Sequence, residues 1–437
     1  MALLHNVWAL TAPILITGAS QIVTVRGRAP RRGAALGDVG AIKNGALLAS
    51  QGLIVAVGPR EKVEAHPLAR NGQSLDAAGR VVLPGFVDSH THLVHAVSRA
   101  EEYELRITGA SYEEIAKRGG GILNSVSKLR SATSDSLKQR ALATLQQFAS
   151  YGTTTIEAKS GYGLDAISEL KILRLHKDLS AAQPLDIIST FLGAHVVPAE
   201  FRGRASGAKE YISLLVDKLI PQVASENLAE FCDVFCERGA FSVPQSKQIL
   251  EAAKRHGLKP RIHAEQLTHT GATQLAVKLG AASCDHLEKI NRADIRALAK
   301  SNTAATLLPG CDFHLGLKQY APARALIDAG AIVALASDYN PGSSPTVSMP
   351  MILSLACTQL RMTPAETIAA STINSAYSLG RHKHIGSLEV GKLADIAIFD
   401  VDDYREIPYY FGMNTCHTTI KRGKIIYSRS SSWHGLE

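Results

Sequence analysis

The sequence has few cysteines and no pairing pattern among them. The six are Cys232, Cys236, Cys284, Cys311, Cys357 and Cys416. No CxxC framework occurs, which removes the usual zinc-ribbon and disulfide scaffolds. Cys232 and Cys236 form a lone CxxxC inside an apolar run and are expected to be core thiols. Reduced thiols suit a cytoplasmic address. No apolar run reaches the ~20 residues of a membrane-spanning helix, so no membrane partner is expected. The early segment ALTAPILITGA is short, contains Pro13 and lacks a basic leader, so it reads as a strand rather than a signal peptide. No internal repeat or low-complexity block occurs.

Charge is present but diffuse. The formal net charge is +8, and its densest stretch, RGRAPRRG, carries Arg26, Arg28, Arg31 and Arg32. It has Gly and Pro and no interleaved aromatic residue, so a solvated loop is expected and no nucleic-acid partner. With 437 residues, 46% hydrophobic, the chain can bury a core without covalent staples. Its length accommodates a (β/α)8 barrel plus an accessory domain.

The pattern along the chain agrees. Residues 1–80 hold short β-like pieces, ILITG, QIVTV, GALLAS and GLIVAVG. ADIAIFD and HTTIKRGKIIYS near the other end look alike. A discontinuous β-sandwich over 1–80 plus 385–437 is predicted, around a barrel over 81–384. Within that middle, eight apolar β-branched runs begin at residues 85, 153, 186, 230, 261, 282, 304 and 332. Helical segments separate them, as a parallel barrel requires. SDSLKQRALATLQQFAS places Leu137, Ala141, Leu142, Leu145 and Phe148 near helical spacing, with Ser134 or Asp135 as the cap. VPQSKQILEAAKRHG ends at Gly257, a helix stop. The expected fold class is therefore α/β: a TIM-like (β/α)8 barrel with a small β-sandwich from both termini.

Barrel chemistry sits at the C-terminal strand ends. The first run ends in His90 and His92, whose i, i+2 spacing turns both to one face. The third ends in His195, the fifth in His263, Glu265 and Gln266, the sixth in Asp285 and His286, and the eighth in Asp338. Five of the 16 histidines thus fall at strand ends, a placement that chance rarely makes. His90, His92, His263 and Asp338 offer three imidazoles and a carboxylate, a set suited to one Zn²⁺ or Fe³⁺ ion. The second HxH, His382 and His384, lies among charged residues and reads as a surface loop.

PGFVDSHTH, the histidine of RIHAE, the histidine of CDHL, the aspartate of ALASDYNPGSSP and the tail GSLEVGKLADIAIFD together resemble the amidohydrolase superfamily. HTHLVHAVSR, GGGIL, YGTTTIEAKSGYG, FLGAHVVP, HAEQL and DYNPGSSP narrow the likeness to members that open a small cyclic amide. The resemblance implies a metal-activated water and a small-molecule substrate carrying a carboxylate. By the same likeness His286 orients or deprotonates the water, and Asp338 shuttles a proton to the leaving nitrogen. Glu265 is expected either to share the base role or to support the site. Arg99 matches the position that clasps the substrate's carboxylate. Tyr162, His195, Asn340, Gly342 and Ser343 match further substrate positions. Gln266 stands where some relatives carry Glu, and its neutral amide implies hydrogen bonding to the ring. Tyr112 also matches a position near the substrate, and GGG at 119–121 suggests a lid.

Many superfamily members bridge two metals with a carboxylated lysine after the fourth strand. Cys236 and Glu237 stand there instead, so one metal is expected. Lys159 follows the second strand and is expected to pair with a carboxylate such as Glu157. Two alternatives stay open: an aminohydrolase acting on a purine or pyrimidine, and a non-catalytic barrel that binds metal or nucleic acid. Assembly is open between a monomer and a homodimer.

Overall fold

A computed structural model describes residues 12–110, 114 and 120–429. Tyr112, Gly119 and the start of the N-terminal apolar segment lie outside the described residues.

Eight parallel strands form one sheet, each paired with its sequence neighbours. They are β1 (Phe86–Asp88), β2 (Thr153–Lys159), β3 (Asp186–Ala194), β4 (Phe231–Cys236), β5 (Lys259–Ala264), β6 (Ser283–His286), β7 (Ala304–Leu307) and β8 (Ile332–Leu335). β2, β6, β7 and β8 are buried along their whole length. That suits the apolar runs of β7 and β8, AATL and IVAL, since both faces are covered.

The seam between β1 and β8 is not a regular ladder. It closes just beyond the strands, where Asp338 N–H donates to His90 O (3.1 Å) and His92 N–H to Tyr339 O (2.8 Å). The Asp88 carboxylate accepts the Ser337 N–H at 3.0 Å.

The two remaining sheets form the sandwich. One has four strands, 14–17, 45–50, 53–59 and 73–76. The other has six: 21–23, 41–43 and 81–84 from the N-terminal side, and 396–399, 416–421 and 424–428 from the C-terminal side. Val81–Pro84 pairs with Ile396–Phe399 in this sheet, and the chain enters β1 two residues later. Ile14, Ile16 and Leu47 of one sheet share a core with Val82, Ile396, Ile398 and Ile420 of the other.

The helix Ser134–Ser150 forms as its period predicts, but its cap lies one residue earlier than expected. Thr133 Oγ1 accepts the Ser136 N–H at 3.2 Å, while Ser134 and Asp135 are already helical. Asp135 thus sits in the first turn, where the helix dipole favours a carboxylate. Helix Val243–Arg255 is capped by Ser242 and stops at His256, before Gly257 with φ +84°.

The basic stretch is only in part the solvated loop its composition suggests: Arg26 and Arg28 are exposed, whereas Arg31 and Arg32 turn inward. Arg31 is buried, and its N–H donates to Asn374 Oδ1 at 2.8 Å. Arg32 donates to the carbonyls of Ala299 (3.2 Å), Gly330 (3.0 Å) and Ser301 (2.7 Å). Those carbonyls lie at the ends of two helices, where orphan acceptors need donors, and a fork-shaped guanidinium supplies several at once.

Candidate metal centre and substrate pocket

The strand ends bring the predicted histidines together. Ligand atoms of His90, His92 and Asp338 lie within 4.8 Å of one another, as do those of His90, His263 and His286. His90 belongs to both sets, so the five side chains surround one centre. All are at most 3% exposed. Asp338 Oδ1 is 3.5 Å from His90 Nε2 and 3.6 Å from His92 Nε2.

The backbone is bent to aim these groups. Glu265 (φ +54°), His286 (φ +81°), Leu287 (φ +80°) and Asp338 (φ +53°) occupy left-handed conformations at the ends of β5, β6 and β8. Such conformations cost a non-glycine residue about 1–3 kcal/mol each and recur where side-chain direction matters.

A buried ionic layer beneath the histidines fixes their rings. His90 Nδ1 lies 2.8 Å from Asp285 Oδ2, and His263 Nδ1 lies 3.0 Å from Asp233 Oδ2. Lys159 Nζ pairs with Glu157 (2.9 Å) and Asp233 (2.8 Å), and Arg261 reaches Asp285 at 3.4 Å. Burial and the Lys159 ammonium lower the pKa of His90 well below the ordinary range. Burial and His195 do the same to His92. Both rings are thus neutral, the form that ligates metal. His90 Nε2 and His263 Nε2 are buried with no hydrogen-bond partner. Buried nitrogens backed by carboxylates and otherwise unsatisfied are what a metal ion would complete. The donor set therefore fits one ion.

His286 differs from the other rings. Burial pulls its pKa down, but the Glu288 carboxylate 3.6 Å away more than reverses this, to about 9. Burial and Glu288 in turn push the Asp312 carboxyl up to about 8. Asp338 is also raised, by burial.

A cavity of about 350 Å³ opens above this centre. His92, Arg99, Tyr162, His195, His263, Gln266, His286, Asp338, Asn340, Gly342 and Ser343 all line it. His195 stacks on His92 with ring centroids 5.4 Å apart, and its Nδ1 lies 3.0 Å from Gly161 O. Nε2 is thereby left for a ligand. Burial, with His263 nearby, holds His195 neutral with a pKa near 3. Gln266 Nε2 contacts Cys311 Sγ at 3.5 Å. Asn340 shapes its own loop: Oδ1 accepts the N–H groups of Gly342 and Ser343, both at 2.8 Å.

Glu265 is the site residue that the structure turns elsewhere. Its carboxylate accepts the N–H groups of Thr270 (2.6 Å), Gly271 (3.1 Å) and Thr273 (3.1 Å). The left-handed turn at Glu265 points it to the start of helix Ala272–Leu279, away from the histidines, so the expected base role is corrected to a loop-holding one. Glu237 behaves alike, accepting from Leu267 and Thr268. Lys159 is ion-paired to Glu157 and Asp233 and so is not placed as a second-metal bridge.

Sequence reasoning missed Asp233, Arg261, Glu288 and Asp312. Only Arg261 carried a signal, because it stands two residues before His263; Asp233 lies level with it on the neighbouring strand, which the structure alone shows. Alternation along the strand places Arg261 on the same face as the ligand.

A parallel barrel with histidines and an aspartate gathered at its strand ends defines a hydrolase of the metal-dependent barrel class. The family model described as "Amidohydrolase family" matches residues 81–426. An imidazolonepropionase of Shouchella clausii is 46% identical over 412 residues, covering 93% of this chain and 91% of that protein. One from Symbiobacterium thermophilum is 47% identical, covering 94% and 97%. The chain belongs to the amidohydrolase family, within its imidazolonepropionase group. Among solved structures, a triazine hydrolase variant superposes with a TM-score of 0.73 at 16% identity, covering 96% of this chain and 95% of that one. A Xanthomonas campestris adenosine deaminase with bound zinc reaches 0.68 at 17% identity, covering 94% and 92%. At those identities the likeness is one of fold.

Proposed function

We propose that the site hydrolyses the cyclic amide of 4-imidazolone-5-propanoate, giving N-formimidoyl-L-glutamate, a step of histidine degradation. The observation that carries this reading is one cavity holding both the His/Asp centre and a guanidinium. A ring-opening hydrolase needs the first, and a substrate with a carboxylate needs the second.

His90, His92, His263 and Asp338 would hold one zinc or iron ion, which supplies Lewis acidity that lowers the pKa of water and polarises a carbonyl. His286, held by the Glu288 carboxylate 3.6 Å away, orients the attacking water and faces the negative charge that develops as it attacks. Asp338 passes a proton to the leaving ring nitrogen. His195 Nε2 and Gln266 hydrogen-bond the ring. Tyr162, Arg99 and the N–H-rich Asn340–Ser343 loop hold the propanoate end. A neutral purine or pyrimidine base brings no anion to the arginine-lined wall of the cavity, which disfavours the aminohydrolase alternative.

Loss of ring absorbance with appearance of N-formimidoyl-L-glutamate, measured on purified protein, tests the reaction. Turnover of guanine or cytosine without turnover of the imidazolone overturns it. Elemental analysis decides between zinc and iron and counts the ions. Arg99→Ala is expected to raise KM at unchanged metal content, whereas His263→Ala loses metal; equal metal loss in both defeats this division of roles.

Six free cysteines, five of them buried, support a reducing, cytoplasmic address. No helix among the described residues is long and apolar enough to cross a membrane. Exposed Tyr409, Phe411 and Met413 support a homodimer over a monomer, and sedimentation distinguishes them.

A further inference from the structure

One wall of the cavity carries three charged side chains, Arg99, Glu102 and Arg106. They come from the start and length of the helix Ala100–Ile107. Spacing of i, i+3 and i+7 places them on one helical face.

Arg99 donates through Nε, at 2.8 Å, and through Nη2 to the same Glu102 oxygen, Oε2. The other oxygen, Oε1, accepts the Gly121 N–H at 2.9 Å. The Nε/Nη2 edge of the guanidinium is therefore already occupied by a carboxylate of the chain. Nη1 and the second Nη2 N–H are what Arg99 has left, and Nη1 is hemmed in. It rests against Gly342, where a Cβ would lie 2.2 Å from it.

Arg106 reaches the same glycine from its carbonyl side, with Nη1 3.5 Å from Gly342 O. Its Nη2 is buried and has no hydrogen-bond partner. No ion pair to Arg106 occurs among the described residues. A buried donor without an acceptor costs about 1–3 kcal/mol, so the wall is arranged for an acceptor that arrives from outside. Two guanidiniums and one carboxylate leave a single positive charge, matched to one incoming carboxylate.

We propose that Arg106 is a second receptor for the substrate's carboxylate, acting with Nη1 of Arg99 on either side of Gly342. The inference rests on the reading above, in which the substrate carries a propanoate. Burial and the neighbouring Arg99 charge depress the Arg106 pKa, and an anionic ligand offsets the repulsion between the two guanidiniums. Gly342 is then required twice: it lets Arg99 lie flat on the backbone, and its carbonyl steers Arg106.

Steady-state kinetics on the parent, Arg106→Gln and Arg106→Lys decide the matter, each with the imidazolone propanoate and with its primary amide. Arg106→Gln is expected to raise KM for the acid roughly 10- to 100-fold, the worth of one charge-assisted hydrogen bond. Metal content and kcat stay near the parent, the rise on the amide is smaller, and Arg106→Lys recovers part of the loss. Unchanged KM for the acid in both variants overturns the assignment, and so does an equal rise on acid and amide. Should Arg106→Gln not fold, the acid-to-amide comparison in Arg106→Lys decides instead. A parent protein that opens neither ring sinks the underlying reading rather than the role of Arg106.

Discussion

Two of the rings at the centre, His90 and His263, have an assigned direction because a carboxylate holds the side away from the centre. Asp285 faces Nδ1 of His90 and Asp233 faces Nδ1 of His263, which turns both Nε2 atoms inward. Asp285→Asn or Asp233→Asn is expected to weaken metal affinity about 10- to 100-fold, measured by competition with a chelator. Unchanged affinity would show that packing alone orients the rings. Much of this centre was legible residue by residue. His90 and His92 announce themselves by i, i+2 spacing, and His263, His286 and Asp338 by standing at strand ends. Their carboxylate supports were not legible, since Asp233 and Asp285 meet the histidines across neighbouring strands and that meeting depends on register. Glu102 on Arg99 was within reach of an i, i+3 argument, but only once residues 100–107 are known to be helical.

At the level of elements, the strand-to-loop turns set the geometry. The loop after β8 is folded by Asn340 onto Gly342 and Ser343, and Gly342 supports Arg99. Gly342→Ala places a methyl group 2.2 Å from Arg99 Nη1, a distance no contact tolerates. The guanidinium must move, so KM for the acid is expected to rise while metal content holds. Metal loss together with the KM change would mean that the loop and Asp338 shift as one body. Helix and strand existence followed from period, whereas the Thr133 cap and the buried Arg31 did not. Composition signals that an arginine is polar, but not whether helix-end carbonyls will arrive to meet it.

Across the whole molecule, barrel and sandwich are joined by partly buried ion pairs. Lys421 Nζ lies 2.7 Å from both Asp186 and Asp395, and Arg422 also pairs with Asp186. Burial alone would raise the Asp186 pKa, but Lys421 and Arg422 reverse this and lower it. A depressed native pKa contributes stability that is present above the unfolded value of 3.8 and is lost as pH falls through the native one. Asp186→Asn is therefore expected to cost about 1–3 kcal/mol at pH 7. The difference from the parent should shrink in denaturant melts taken below pH 4. A gap that stays constant from pH 7 to pH 3 would assign the effect to packing.

The irregular closure between the first and last strands has a consequence of its own. His90 and His92 approach from one lip of that gap and Asp338 from the other, tied by two backbone hydrogen bonds. An ion gripped by all three would act as a clasp on the ring as well as a reagent. Stripping it should loosen the cylinder there first, so catalytic competence and the integrity of the barrel wall would fade together.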